Sequence, residues 1–285
     1  MMSVISNRFY RLLPLALASV AVMAGCTGHA GKDKPTALPS ELRTGSMEGY
    51  LQPSALPNSL ALLPPPPSFG SADLALDEEF SKKSFALRDS PAWKLAILDD
   101  NLSFPNAAGT YSCALNAPIT EQDTPHLYTL LRRTLTDAGR STGEAKKHYQ
   151  RLRPFLVNKA PFCTPGDIEG LKKSGSYPSG HNATGMAWAL ILAEISPAQT
   201  DAILARGQAF GLSRIVCNVH WHSDTLQGRY MGAYTVARLH AEPAFRADLE
   251  SAKVELEAVR AKGLKPTRDC SAEKAGMDLQ RSLYQ

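Results

Sequence analysis

Beyond Pro67 the apolar residues of this chain recur at three-and-four spacing almost throughout, a period that buries its stripe only as helix packed on helix. Leu127, Leu130, Leu131 and Leu135 form one such stripe; Ala187, Leu190, Ile191 and Ile195 form another after a glycine-rich turn. Helix entries are marked by a capping residue followed by proline at Ser90-Pro91, Thr124-Pro125 and Ser196-Pro197. The stretch from Pro243 to Lys262 is strongly charged, with Glu250 and Lys253 three apart, and reads as a solvent-facing terminal helix. Alternating strand patterns are scarce. The expectation is an all-α helical bundle over residues 70–265, with functional loops between helices and a C-terminal tail at 266–285. Hydrophobic residues at 44% against 20% charged supply enough apolar surface for a core, which excludes disorder and collagen-like repeats.

Residues 1–25 read as an export signal, in which Arg8 and Arg11 precede an apolar run from Leu12 to Ala24 too short to span a membrane comfortably. The mature protein is therefore expected in the periplasm. Met23-Ala24-Gly25-Cys26 resembles a bacterial lipobox, so a lipidated Cys26 would anchor the chain to the outer membrane. Ordinary cleavage after Ala24 is the alternative and would leave Cys26 a free thiol. Residues 26–69 are expected to be a tether or a wrapped extended arm, because eight of the 20 prolines fall between Thr27 and Pro67 and forbid regular helix or central strand there. A net charge of +4, reduced to +2 when the leader removes Arg8 and Arg11, demands no nucleic-acid partner. A homo-oligomer is compatible with the chain.

Three loop-like segments carry chemistry. In Lys146-Lys147-His148-Tyr149-Gln150-Arg151-Leu152-Arg153-Pro154, the seven-residue spacing of Lys146 and Arg153 puts two cations on one side of a helix ending before proline, which suggests an anion. A solvated basic face is the plainer reading of that spacing. Gly175-Ser176-Tyr177-Pro178-Ser179-Gly180-His181 precedes an apolar helix beginning near Ala183, so free amides at a helix start could grip an oxyanion, with Gly180 allowing close approach. His181 alone could equally be a capping or core histidine. The third segment runs from Ser213-Arg214 through Cys217 to His220-Trp221-His222-Ser223-Asp224. A carboxylate four residues beyond His220 can bond one ring nitrogen and leave the other as a nucleophile. His220-x-His222 also invites a metal, but Lys146, Arg153 and Arg214 would repel a metal and welcome phosphate, so no metal and no cofactor is expected. His222 and Trp221 read as wall or surface residues.

Taken together, Lys146-x6-Arg153-Pro154, Pro178-Ser179-Gly180-His181 and Ser213-Arg214-x5-His220-x3-Asp224 resemble the signature of the type 2 phosphatidic acid phosphatase superfamily. Within it, the chain from about residue 70 to about Arg260 is most similar to the bacterial class A non-specific acid phosphatases. One departure is Asn182, where relatives often carry threonine. The resemblance implies that His220, oriented by Asp224, attacks the phosphorus of a monoester to form a phosphohistidine. His181 would protonate the leaving group and later activate water. Lys146, Arg153, Ser179, Gly180 and Arg214 would hold the phosphoryl oxygens, each close unit-charge pair being on the order of 4 kcal/mol at an effective dielectric near 20. Expected substrates are phosphate monoesters such as nucleotides, sugar phosphates and aryl phosphates, with a mildly acidic optimum.

Apart from Cys26, four cysteines remain in an oxidising compartment, which allows two bridges in three connectivities. The resemblance favours Cys163 with Cys217, leaving Cys113 with Cys270; a buried free Cys217 is the competing reading. Two other functions compete. A vanadate-dependent haloperoxidase uses a similar pocket, usually on a much longer chain. A non-catalytic phosphate-binding envelope lipoprotein would have no use for a nucleophile and a proton donor.

Overall fold

The structure, a computed structural model, describes residues 47–285; the expected export signal, Cys26 and the first part of the proline-rich segment lie outside the described residues. Among the described residues there is no strand, and thirteen α-helices follow in order. They are α1 (Ser59–Leu62), α2 (Ala72–Ser84), α3 (Pro91–Asp100), α4 (Ser112–Leu115), α5 (Pro125–Ser141), α6 (Gly143–Tyr149), α7 (Pro154–Asn158), α8 (Ile168–Lys173), α9 (Gly180–Ile195), α10 (Thr200–Val216), α11 (His222–Leu239), α12 (Pro243–Ala261) and α13 (Cys270–Gln280). The all-α expectation holds.

α9 packs against α5, α10 and α11 at once. A helix enclosed on several sides has little room for a polar face, and Ala183, Ala187, Trp188, Ala189, Ile191 and Leu192 are all fully buried. Small residues set the spacing. A Cβ on Gly228 of α11 would lie 2.4 Å from the Ser179 carbonyl oxygen, and one on Gly232 would lie 2.5 Å from that of Ala183. Two glycines a turn apart thus let α11 approach the backbone of α9. The starts of the two helices meet, and the Ser179 amide donates to the Asp224 carbonyl at 3.0 Å.

The α5 stripe of Leu127, Leu130 and Leu131 is buried as its spacing predicts, and the indole of Trp188 donates to the Leu131 carbonyl at 3.0 Å. α12 differs from its expected solvent-facing role. Phe245, Leu249, Ala252, Leu256 and Val259 make a buried stripe on it, and the helix packs on α5 while its charges stay outside. α12 is not terminal either. Residues 266–285, expected as a tail, hold α13, whose first amides are capped by the Asp269 carboxylate. It lies against α3, where a Cβ on Gly276 would meet Leu95 at 2.9 Å.

A buried polar cluster explains that docking. Arg206 of α10 is fully buried and pairs with Asp99 of α3, Nη1 to Oδ2 at 3.1 Å, and with Glu273 of α13 at 3.2 Å. The Gln280 amide donates to Ser213 Oγ, which donates to Asp99. A disulfide between Cys113 and Cys270 fastens the same corner. At the other end, residues 47–69 wrap the bundle. The Tyr50 and Leu51 amides donate to the Asp137 carboxylate, the Ala145 amide donates to Ser59 Oγ, and the Tyr177 hydroxyl donates to the Pro64 carbonyl.

Removing one partner of a buried ion pair leaves a charge stranded in a dry interior, at a cost of about 3–5 kcal/mol. Asp99→Ala is therefore expected to lower the urea midpoint of unfolding by that equivalent with little change in slope. A midpoint equal to the wild type would mean that Glu273 alone balances Arg206.

Candidate active site

Lys146, Arg153, Gly180, His181, Arg214 and His220 line one cavity of about 540 Å³, so residues spread over 75 positions of the sequence converge as their motifs predict. Ser179 and Asp224 are fully buried and do not form its walls. Ser179 caps α9, and Asp224 sits in the first turn of α11.

The two cations of the first motif reach the cavity by a route other than a shared helical face. α6 stops at Tyr149 because Gln150 adopts a left-handed conformation at φ 44°, and Arg153, preceding Pro154, is extended at ψ 152°. Lys146 projects from the end of one helix and Arg153 from the cap of the next. Each spends donors on the loop before α9. Lys146 Nζ donates to the Gly175 carbonyl at 2.7 Å, and Arg153 Nε donates to the Leu171 carbonyl at 3.0 Å.

Hydrogen-bond inventory assigns the histidine tautomers. A guanidinium has no acceptor, so Arg153 Nη1, 3.1 Å from His220 Nε2, must donate to that nitrogen. The His220 proton therefore sits on Nδ1 and points at Asp224 Oδ2, 3.3 Å away. Asp224 also accepts the Trp221 amide at 2.9 Å. Likewise the Asp100 carbonyl can only accept, so His181 Nε2, 2.9 Å from it, carries a proton and Nδ1 is left for chemistry.

Three residues at the centre escaped the sequence reading. Arg151 Nη1 donates to Asp224 Oδ1 at 2.6 Å and to Ser223 Oγ, while its Nη2 donates to buried Asp77 at 2.7 Å. Asp77 also accepts the Ser223 amide. The Asp100 carboxylate lies 2.6 Å from Arg214 Nη2. Arg151 lay inside a quoted motif, whereas Asp77 and Asp100 belong to helices far upstream and carry no local signal.

Burial dominates the electrostatics. It pushes Lys146 down to about 7, with Arg153 repelling it further and Asp224 opposing. Arg153 is pushed down to about 10 by burial and then by Arg214. His181 falls to about 3 through burial and then Arg214, and His220 is held well below its usual value by burial and the three cations. Both imidazoles are therefore neutral without an anion beside them. Burial raises the Asp224 carboxyl, and Arg151 pulls it back. Arg214 Nε and Nη1 are buried with no hydrogen-bond partner.

Asn182, the departure within the glycine-rich motif, is buried and donates twice to Ser179 Oγ, from its amide at 3.3 Å and from Nδ2 at 3.0 Å. With its oxygen accepting both, Ser179 keeps its hydroxyl proton to donate elsewhere. Trp221 and His222 are buried: the indole donates to the Leu152 carbonyl, and the imidazole stacks on Phe80 with centroids 4.1 Å apart. Cys163 and Cys217 form a disulfide that ties the loop before α8 to the segment between Arg214 and His220. Among the described residues no cluster of three His, Cys, Asp or Glu side chains is arranged to hold a metal.

The family model of the PAP2 superfamily matches residues 126–245, which contain all of the cavity's cations and both histidines. The chain is 40% identical over 212 residues to a protein of Salmonella typhimurium named non-specific acid phosphatase, covering 74% of this chain and 85% of that one. It is 42% identical over 207 residues to a non-specific acid phosphatase of Providencia stuartii, covering 72% and 84%. An acid phosphatase of Zymomonas mobilis is 42% identical over 201 residues, covering 70% and 76%. With identity of this extent spanning most of each relative, and six of the signature residues lining one cavity, the chain belongs to the PAP2 superfamily, among its bacterial class A non-specific acid phosphatases.

Proposed function

We propose that this protein hydrolyses phosphate monoesters through a phosphohistidine at His220, on esters such as nucleotides, sugar phosphates and aryl phosphates. The observation that carries the reading is Arg214, whose Nε and Nη1 are buried without partners in the same cavity as Lys146 and Arg153. Unsatisfied guanidinium donors beside two further cations suit the oxygens of a phosphoryl group. The first amides of α9, from Gly180 and His181, add uncharged donors, and Ser179 behind them caps that helix start.

In the first step the lone pair of His220 Nε2 displaces the alkoxide: a P–N bond forms, the P–O ester bond breaks, and His181 Nδ1 gives its proton to the departing oxygen. In the second step His181, now neutral, takes a proton from water as the water oxygen attacks phosphorus. The P–N bond breaks, phosphate leaves, and both histidines return to their starting states. Asp224 keeps the His220 proton on Nδ1, and Arg151 is the positioning residue that holds Asp224. The proton on His181 comes with the substrate. A bound dianion offsets the repulsion from Arg214, and a monoester with a second pKa near 6 delivers a proton under mildly acidic conditions. The same residues accord with export from the cytoplasm, since two disulfides persist in an oxidising compartment.

His220→Ala is expected to abolish turnover of an aryl phosphate and the base-stable labelled intermediate trapped from it, with a chelator changing neither result. His181→Ala should cost ~10² to 10⁴ in kcat for alkyl phosphates and far less for aryl phosphates, whose phenolate leaves without a proton. Full activity in His220→Ala, or chelator-sensitive turnover, would remove the mechanism.

The Lys146 value near 7 sets a second expectation. Above that pH the amine is neutral and its hold on phosphate weakens, so kcat/KM falls as pH rises through 7. Lys146→Arg keeps the charge and should move that alkaline limb upward, while Lys146→Met should raise KM by about 10-fold to 100-fold, the loss of a charge-assisted bond. An alkaline limb that stays in place in Lys146→Arg would assign it to another group.

A further inference from the structure

Among the described residues, Asp100 is the one carboxylate in the cavity's walls, and the proposed chemistry uses its carbonyl but not its side chain. It closes α3 with its side chain 13% exposed, its Oδ1 2.6 Å from Arg214 Nη2 and 4.0 Å from His181 Nε2. The carboxylate therefore stands beside the imidazole that serves the leaving group. Charge balance gives it meaning. Lys146, Arg153 and Arg214, less Asp100, leave two net positive charges, the complement of one phosphate dianion. Asp100 pairs with Nη2 of Arg214, while Nε and Nη1 of the same guanidinium have no hydrogen-bond partner among the described residues. The rest of the wall is uncharged, with Leu102, Leu135 and Leu171 as its large side chains and glycines, Ser174 and Thr184 between them.

We infer that Asp100 is a specificity-determining residue that favours monoesters with an uncharged leaving group and disfavours substrates whose leaving group is itself a phosphate. An alcohol such as a phenol, sugar or nucleoside can lie on the leucines with nothing opposing it. A departing phosphate would bring negative charge next to the largely buried Asp100 carboxylate, and among the described residues no further cation lines the wall to receive it. This inference rests on the proposed monoester hydrolysis and narrows its substrate class.

The test compares kcat/KM for phenyl phosphate and inorganic pyrophosphate in the wild type and in Asp100→Asn. Asp100→Asn is expected to raise the pyrophosphate-to-phenyl phosphate ratio by about tenfold, the effect of removing one moderately screened charge repulsion, whatever happens to the absolute rates. An unchanged ratio would overturn the inference. Calorimetry on the wild type needs neither turnover nor a variant: orthophosphate is expected to bind at least as tightly as pyrophosphate, and markedly tighter pyrophosphate would also overturn it. Failure of the wild type to hydrolyse phenyl phosphate bears on the phosphatase reading alone, since both binding constants remain measurable.

Discussion

Lys146, Arg153 and Arg214 face one cavity from three different helix ends, and their mutual repulsion at such close quarters is what the surrounding chain has to offset. The offset comes mostly from backbone carbonyls and one carboxylate. Gly175 and Ser176 receive Lys146, Leu171, Ser174 and Val219 receive Arg153, and Asp100 receives Arg214. The end of α8 and the turn after it, residues 171–176, are thus part of the site although they carry no titratable catalytic group. Burial, and after it the repulsion that remains, lowers both imidazoles below their usual range. In the proposed reaction a phosphate dianion would relieve the repulsion among the cations and bring the general acid into its working state in the same event.

The same logic extends outward from His220. A neutral nucleophile needs its proton fixed on Nδ1, Asp224 does that only if it stays ionised, and a fully buried carboxylate stays ionised only beside a cation. Arg151 supplies the cation and in turn leans on Asp77. The charges alternate from the cavity to α2, so the reactive nitrogen depends on a helix some 140 positions earlier in the chain.

Much of this was legible in the sequence because the reacting groups lie in short segments whose spacing reflects local contact. His220 and Asp224 meet across the start of α11, and Ser179 caps the helix that its motif introduces. The shared helical face assigned to Lys146 and Arg153 was not there, since a left-handed Gln150 and the proline after Arg153 split it, yet both side chains still arrive. Asp77, Asp99 and Asp100 were silent for a physical reason: each is paired with an arginine more than 70 residues away, and no periodicity encodes a long-range pair. α13 was hidden in a similar way, its docking carried by Glu273, Gln280 and a cysteine in place of an apolar stripe.

The anchoring of α13 also makes the cavity answerable to a distant helix. Asp99 and Asp100 are adjacent at the end of α3, and the cluster that steadies the first is completed by Glu273, Gln280 and Cys270, more than 150 positions later in the sequence. Without them Arg206 is half-neutralised and α3 lacks its outer support. A disturbance at that far helix therefore reaches the cavity wall through Asp100, although no residue of α13 lines it.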